Sequence, residues 1–255
     1  EVKTEEEIAD IFLEDNLISD KQIGKYNGLY VGYSKEFRKT SSSGGIATYL
    51  FNNLLKSNTV QHIVCVQESG LESEFYEYNI ISNYEDILKS SKTKYFPVTM
   101  AQALEKIENL EGKVAIVGVA CFIKSIRLLQ HQDKKYQEKI SFLVGIICGG
   151  IKSSFFAEYL ASKSGVERNK YYKPNFRIKD DNSAALDYSF GCLNKDNDKL
   201  HTVKMRSVGD MWGTGLFKTN ACDFCEDVAT ELADISLGDA WIPPYSSDGR
   251  GNSII

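Results

Sequence analysis

The chain has 255 residues, of which 42% are hydrophobic and 25% charged, and 30 Lys plus Arg against 35 Asp plus Glu give a formal net charge of −5. That length buries a sizeable core in one large domain or two modest ones, and the acidic balance argues against non-specific nucleic-acid binding, which needs a basic face. No apolar run reaches the ~18 residues of a transmembrane helix.

In chain order, the N-terminal stretch lacks the basic-then-apolar pattern of a signal peptide, and Glu1 in place of methionine reads as a chain trimmed or begun inside a longer protein. Thr4 to Asn16 reads as a helix, with Thr4 as N-cap, Glu7 three residues on, and Ile8, Ile11 and Phe12 on one face. Gly28 to Tyr33 is strand-like. Thr40-Ser-Ser-Ser-Gly-Gly45 is a turn opening an apolar helical run from Ile46 to Leu55. Val60 to Val66 and Phe75 to Ile81 follow as strands, then a helix over Tyr84 to Ser90. Lys92-Thr-Lys-Tyr-Phe-Pro97 is a compact basic and aromatic segment before a helix from Thr99 to Leu110.

The middle is the clearest part. Lys113 to Gly118 is a buried strand, followed by Val119-Ala-Cys121 and a helix from Phe122 to Gln130. Lys139 to Ile147 is a second buried strand, followed by Cys148-Gly-Gly150 and a helix from Ser153 to Ser164. Strand, tight turn and helix repeated in this way mark a parallel sheet with crossover helices. The expected fold is therefore α/β: a mixed, partly parallel sheet with crossover helices, plus a smaller Cys-containing C-terminal α+β region. Beyond a soft boundary at Arg168 to Pro174, hairpin-like turns at Asp180 to Ser183 and Asn194 to Asp198 flank short strands. Ser207 to Phe217 has helical spacing broken by three glycines, and Ala233 to Gly238 is a strand leading into Asp239-Ala-Trp241. These divisions give an N-terminal helical segment at 1–26, an α/β ligand-binding region at 27–170, and a C-terminal region at 171–255 that stops soon after a new apolar start.

The six cysteines, Cys65, Cys121, Cys148, Cys192, Cys222 and Cys225, are dispersed through a large acidic chain. Reduced thiols or a metal site suit that pattern better than a disulfide framework. Cys222-Asp-Phe-Cys225 in a loop is half of a four-ligand site, for zinc or for a cubane iron–sulfur cluster. A redox dithiol and a structural pair remain as alternatives. Cys121 and Cys148 supply a second pair, each at the carboxyl end of a strand, where ligands gather in parallel sheets, and each at a helix entrance, where the dipole favours thiolate. Cys65 reads as core and Cys192 as structural. Ser41-Ser-Ser-Gly-Gly45 at a helix entrance exposes N–H groups suited to phosphate, although Ser-rich caps are common without that role. Lys92, Lys94 and Tyr95 add charge and stacking for a phosphate-bearing aromatic cofactor, or form a solvated loop. Asp234 and Asp239 read as turn-formers or as acceptors behind the cysteines.

Taken in order, these segments resemble the coenzyme F420 hydrogenase/dehydrogenase beta-subunit family. The matching stretches are Arg38 to Ile46, Lys92 to Pro97, Val117-Gly-Val-Ala-Cys121, Cys148-Gly-Gly150, Cys222 to Asp227 and Ala233 to Trp241. Ala120 stands where the family usually has proline, and Gly149 where it often has histidine. The resemblance implies a flavoprotein that holds FAD beside a [4Fe–4S] cluster and moves electrons between them. In archaeal relatives the flavin exchanges hydride with a deazaflavin coenzyme. Carried onto this chain, it implies cluster ligands Cys121, Cys148, Cys222 and Cys225, with Ser41, Ser42, Ser43, Gly44, Gly45, Lys92, Lys94 and Tyr95 facing the flavin. The function so implied is an iron–sulfur flavoprotein oxidoreductase subunit in the cytoplasm. Its partners would be a redox protein or ferredoxin, and coenzyme F420 or another organic substrate. A non-catalytic, metal-stabilised partner subunit is the competing expectation.

Overall fold

Thr4 and Glu7 exchange hydrogen bonds: the Glu7 N–H donates to Thr4 Oγ1 at 3.2 Å, and the Glu7 carboxylate accepts from the Thr4 N–H at 2.8 Å. This capping box starts α1 (Glu5–Phe12), whose Ile8 and Ala9 are buried. The computed structural model describes residues 3–70 and 74–255. After α1 come β1 (Ile18–Asp20) and β2 (Gly24–Tyr26), an antiparallel hairpin with no clear signal in the sequence, and then β3 (Val31–Gly32). Of the strand-like Gly28 to Tyr33 stretch, Val31 and Gly32 form the ladder with β12.

The central run is α2 (Ile46–Lys56), β4 (His62–Glu68), β5 (Tyr76–Ile81), α3 (Ala101–Ile107), β6 (Val114–Val119), α4 (Ala120–Gln132), α5 (Lys134–Lys139), β7 (Ile140–Ile146) and α6 (Ser154–Lys163). Tyr84–Ser90 is a 3-10 helix rather than an α-helix, capped by the Asn83 side chain. The C-terminal part adds β8 (Tyr171–Ile178), β9 (Ser189–Asn194), β10 (Leu200–Lys204), α7 (Met205–Val208), β11 (Ile235–Asp239) and β12 (Ser253–Ile254). The helix expected over Ser207 to Phe217 is cut to the single turn of α7, because Gly209 takes φ 101° and turns the chain.

The large sheet has seven strands in the order β3-β12-β11-β7-β6-β4-β5. Its centre is parallel, β11 beside β7, β7 beside β6 and β6 beside β4, with antiparallel pairs at both edges. This is the mixed, partly parallel α/β arrangement that the strand–turn–helix repeats predict. Alternate residues face opposite layers. Val64, Val114, Ile116 and Leu143 meet α1, α3 and α4 in one core. Ile63, Cys65, Ala115, Val144 and Leu237 meet α2 in the other. A third, aromatic-rich core lies between α6 and the three-stranded antiparallel sheet β10-β9-β8. Residues 171–204 thus build their own sheet, whereas β11 and β12 return to the large one.

Candidate functional site

The carboxyl ends of the parallel strands carry the thiols. β6 runs directly into α4, which puts Cys121 in the first turn of that helix. β7 continues through Ile147, whose N–H donates to Leu237 O at 2.9 Å, to Cys148, whose N–H donates to Val228 O at 3.1 Å. Cys222 sits in a 3-10 turn, Asn220–Phe224, with Cys225 just after it. This turn is tied to the chain beyond Cys148: Thr219 N–H donates to Ile151 O at 3.2 Å and Ser153 N–H to Phe217 O at 2.8 Å. Gly150 makes the approach possible. It takes φ 126°, and a Cβ there would lie 2.6 Å from the Lys218 side chain and 3.7 Å from Cys222 Cβ.

All six cysteines are free thiols. Four of them, Cys121, Cys148, Cys222 and Cys225, lie near enough for their charges to act on one another. Burial pushes the Cys121 thiol up, and the neighbouring Cys225 and Cys222 add to the shift. Burial likewise pushes Cys148 up, with Cys121, Cys222 and Cys225 acting in the same direction. Gly150 N–H donates to Cys148 Sγ at 3.4 Å and Ile151 N–H to Cys222 Sγ at 3.3 Å, and Thr219 Oγ1 lies 3.1 Å from Cys222 Sγ. Cys121 and Cys225 are exposed, Cys148 and Cys222 half-buried. Among the described residues, no group of three or more His, Cys, Asp or Glu side chains is arranged to hold a metal ion. Cys65 and Cys192 lie buried elsewhere, in the α2 and aromatic cores.

The serine turn and the Lys-Tyr segment meet. Ser42 Oγ accepts the Thr93 N–H at 2.8 Å, Ser41 Oγ lies 3.3 Å from Thr48 Oγ1, and Ser43 Oγ donates to Asn252 O at 2.8 Å. These hydroxyls hold neighbouring elements together. Gly44 and Gly45 are needed for packing: a Cβ on Gly44 would lie 2.6 Å from Gly32 O, and one on Gly45, at φ 80°, would lie 2.7 Å from the Phe37 backbone. Gly45 caps α2 without a side-chain bond, so the first N–H groups of that helix keep no side-chain acceptor. Lys94 turns inward and donates to Ser90 O and Ser91 O at 2.7 and 2.6 Å, and burial lowers its ammonium pKa to about 8. The Tyr95 ring packs 4.8 Å from Trp212 and 5.7 Å from Phe176, with Cys148, Arg177 and Asp239 near enough to act on its phenol.

Sequence reasoning named Asp239 and Lys92 but passed over Arg177, Lys179 and Lys152 around Tyr95. Arg177 on β8 is 1% exposed, bonds Asp239 Oδ2 at 2.5 Å, and lies over the Tyr188 and Trp241 rings, each at 4.8 Å. Arg177 Nε and Asp239 Oδ1 are buried with no partner. Buried orphan atoms of this kind call for a ligand, a water or strain. Lys92 and Lys179 have lowered pKa values, burial being the first cause in each and Arg177 a further one. Lys152, 2% exposed, donates to Met211 O and Leu216 O at 2.7 and 2.6 Å and sits 4.4 Å from the Trp212 ring. It fixes the loop that carries Trp212. Arg177 escaped the sequence reading because β8 has no clean apolar pattern and its partner lies 62 residues away. Asp234, in contrast, is structural, bonding Arg127 and the Leu143 N–H.

A parallel-centred sheet with thiols near its carboxyl ends, beside a cluster of buried cationic and aromatic side chains, defines the chain as a mixed α/β protein. Two family models match almost the whole length: the coenzyme F420 hydrogenase/dehydrogenase beta subunit N-term over residues 29–105 and its C terminus over residues 111–255. The chain belongs to this family of oxidoreductase subunits. It is 22% identical over 239 residues to one of the subunits of the F(420)H(2) dehydrogenase of Methanosarcina mazei, covering 92% of this chain and 61% of that protein. It is 24% identical to coenzyme F420 hydrogenase subunit beta of Methanosarcina barkeri, covering 93% and 80%. A coenzyme F420-dependent sulfite reductase of Methanocaldococcus jannaschii is 26% identical over 83% of this chain but only 32% of its own length. In fold, the chain matches a chain of the F420-reducing [NiFe] hydrogenase complex from Methanosarcina barkeri, with TM-score 0.69 and 22% identity over 93% of this chain and 77% of that one. Among the described residues, no helix is long and apolar enough to cross a membrane.

Proposed function

We propose that this chain is an electron-transferring subunit in which Cys121, Cys148, Cys222 and Cys225 hold one [4Fe–4S] cluster and a flavin, FAD, occupies the recess beside it. The observation that carries the reading is the convergence of four free thiols from three separate elements. The donor set is all-thiolate, as cubane clusters require. For the flavin, the supporting features are the start of α2, which has no side-chain cap, the cation Lys92, the Tyr95 and Trp212 rings, and the orphan atoms of Arg177 and Asp239.

When bound, a flavin exchanges electrons in pairs and a cubane singly, so their adjacency converts one mode into the other. The chain's own residues position and tune. The Gly150 and Ile151 N–H groups donate to two cluster sulfurs, which raises the potential of the site. Trp212, fixed by Lys152, and Tyr95 exclude water between the thiols and the recess. The exposed Cys121 and Cys225 mark the side from which a redox partner, a ferredoxin or another protein of the same complex, would exchange electrons. The organic substrate would be a deazaflavin or a comparable hydride acceptor.

Anaerobic purification with iron, sulfide and flavin analysis tests the reading. A brown protein with about four irons per chain and extractable FAD is the expected result. A colourless protein retaining one zinc and no flavin would sink it and favour a metal-stabilised partner subunit instead.

A further inference from the structure

Phe224, between Cys222 and Cys225 in the chain, has 87% of its surface in water, more than any other large apolar side chain among the described residues. A phenylalanine so placed adds nothing to its own core, whereas aromatic side chains are enriched at the centres of protein interfaces. Val228, 51% exposed, adjoins Cys148, whose N–H donates to the Val228 carbonyl at 3.1 Å. Both exposed apolar side chains are therefore carried by segments that hold or touch the thiols.

The charge beside them is acidic. Cys225 Sγ lies 3.6 Å from Asp227 O, which puts the segment from Asp227 to Glu231 next to that thiol. The start of α1 reaches the same place. Glu5 pairs at 2.7 Å with Lys124, which follows Cys121 by three residues on α4. Burial raises the Asp227 and Glu231 carboxyls, and Glu5 is near enough to add to this at Asp227, as Glu6 is at Glu231. The neighbouring lysines are taken: Lys25 by Asp10, Lys124 by Glu5 and Lys218 by Asp223. Glu6, Glu226, Asp227 and Glu231 make no ion pair among the described residues. A surface with this excess of carboxylate repels an acidic protein and steers a basic one towards it.

We infer that Phe224 and Val228 are the centre of a docking surface for a protein electron carrier with a basic face. Phe224 enters an apolar recess of the carrier, and Glu6 and Glu226 meet its lysines or arginines at the rim. Single electrons cross this contact with no bond made or broken. The transfer of electrons rests on the reading of the four thiols as a cluster site; the docking itself does not.

The probe is cytochrome c, in its native basic form and with its lysines succinylated, which reverses the charge on the same framework. Two readouts are taken on the anaerobically purified chain. One is calorimetric binding of ferric cytochrome c. The other is stopped-flow reduction of the haem by chain reduced with dithionite and freed of it, one electron leaving the chain for each haem reduced. Native cytochrome c should bind, and should be reduced roughly ten-fold faster than the succinylated form at low salt, with the advantage shrinking as salt rises. Phe224→Ser should weaken binding about ten-fold. Glu6→Gln combined with Glu226→Gln should flatten the salt dependence. Reduction of a neutral quinone, which needs no docking, should match the wild type in both variants. Equal or tighter binding of the succinylated form, absence of binding, or native binding unchanged in both variants overturns the inference. A chain without iron that reduces neither cytochrome nor quinone overturns the cluster reading instead, and binding alone then decides the docking surface.

Discussion

Arg177 and Asp239 form the most demanding contact of the recess, since the arginine side chain is almost wholly withdrawn from water while its Nε has no acceptor. Removing one partner of a buried pair leaves the other charge uncompensated. Arg177→Met should therefore cost about 3 kcal/mol in urea unfolding, and Arg177→Met with Asp239→Leu should recover part of that loss. A single variant as stable as wild type would show that the pair is not desolvated. Lys94 makes a different prediction. Burial lowers its folded pKa to about 8 from the ordinary 10.5, so above pH 8 the unfolded chain binds more protons than the folded one. Stability must then rise with pH from this group, by at most about 1.4 kcal/mol per unit. Cys65 opposes it above pH 9, because burial raises its thiol from 9.0 to about 11 and the unfolded chain ionises first. The contribution of Lys94 is therefore read between pH 8 and 9, as the slope of wild-type stability minus that of Lys94→Met. An unchanged slope would mean that Lys94 stays charged in the folded protein.

The elements that place the site depend on close backbone approaches. Gly44 packs against Gly32 O and the Ser253 N–H, neither of which can move without shifting β3 and β12. Gly44→Ala should destabilise the fold by about 1 to 3 kcal/mol, measured by denaturant unfolding, whereas Ala at Gly32, where nothing lies within 4 Å of a Cβ, should cost less. The strand–turn–helix units around Cys121 and Cys148 were legible in the sequence because buried parallel strands are short apolar runs bounded by small residues. That alone put two cysteines at strand ends. The convergence of Cys222 and Cys225 on them was not legible, because it depends on Gly150 and on backbone bonds between segments about 70 residues apart. β8 was hidden for another reason: Lys173, Pro174 and Arg177 interrupt the apolar pattern, and the arginine is buried only because Asp239 meets it. Among the proposed flavin residues, Lys94 turned inward to cap carbonyls, which a basic segment read as a string of charges could not reveal.

At the scale of the whole molecule, the large sheet brings the carboxyl ends of its adjacent parallel strands β6, β7 and β11 to one side, and a separate aromatic core lies between α6 and the smaller sheet. The chain spans 61% of the M. mazei protein and 32% of the M. jannaschii reductase, so the electron route beyond this site and the identity of the organic substrate are part of the proposal above. What the fold itself supplies is the placement of Cys121 and Cys148 at the carboxyl ends of neighbouring parallel strands, with the Cys222–Cys225 turn bonded to the chain beyond Cys148. The most direct test is iron content per chain after anaerobic purification, compared across Cys121→Ser, Cys148→Ser, Cys222→Ser and Cys225→Ser, with Cys65→Ser and Cys192→Ser as controls. The account predicts about four irons in the wild type and both controls, and a marked loss of iron in each of the four site variants. Full iron in any one of Cys121→Ser, Cys148→Ser, Cys222→Ser or Cys225→Ser, or loss in a control of unchanged stability, would contradict a single cluster held by these four thiols.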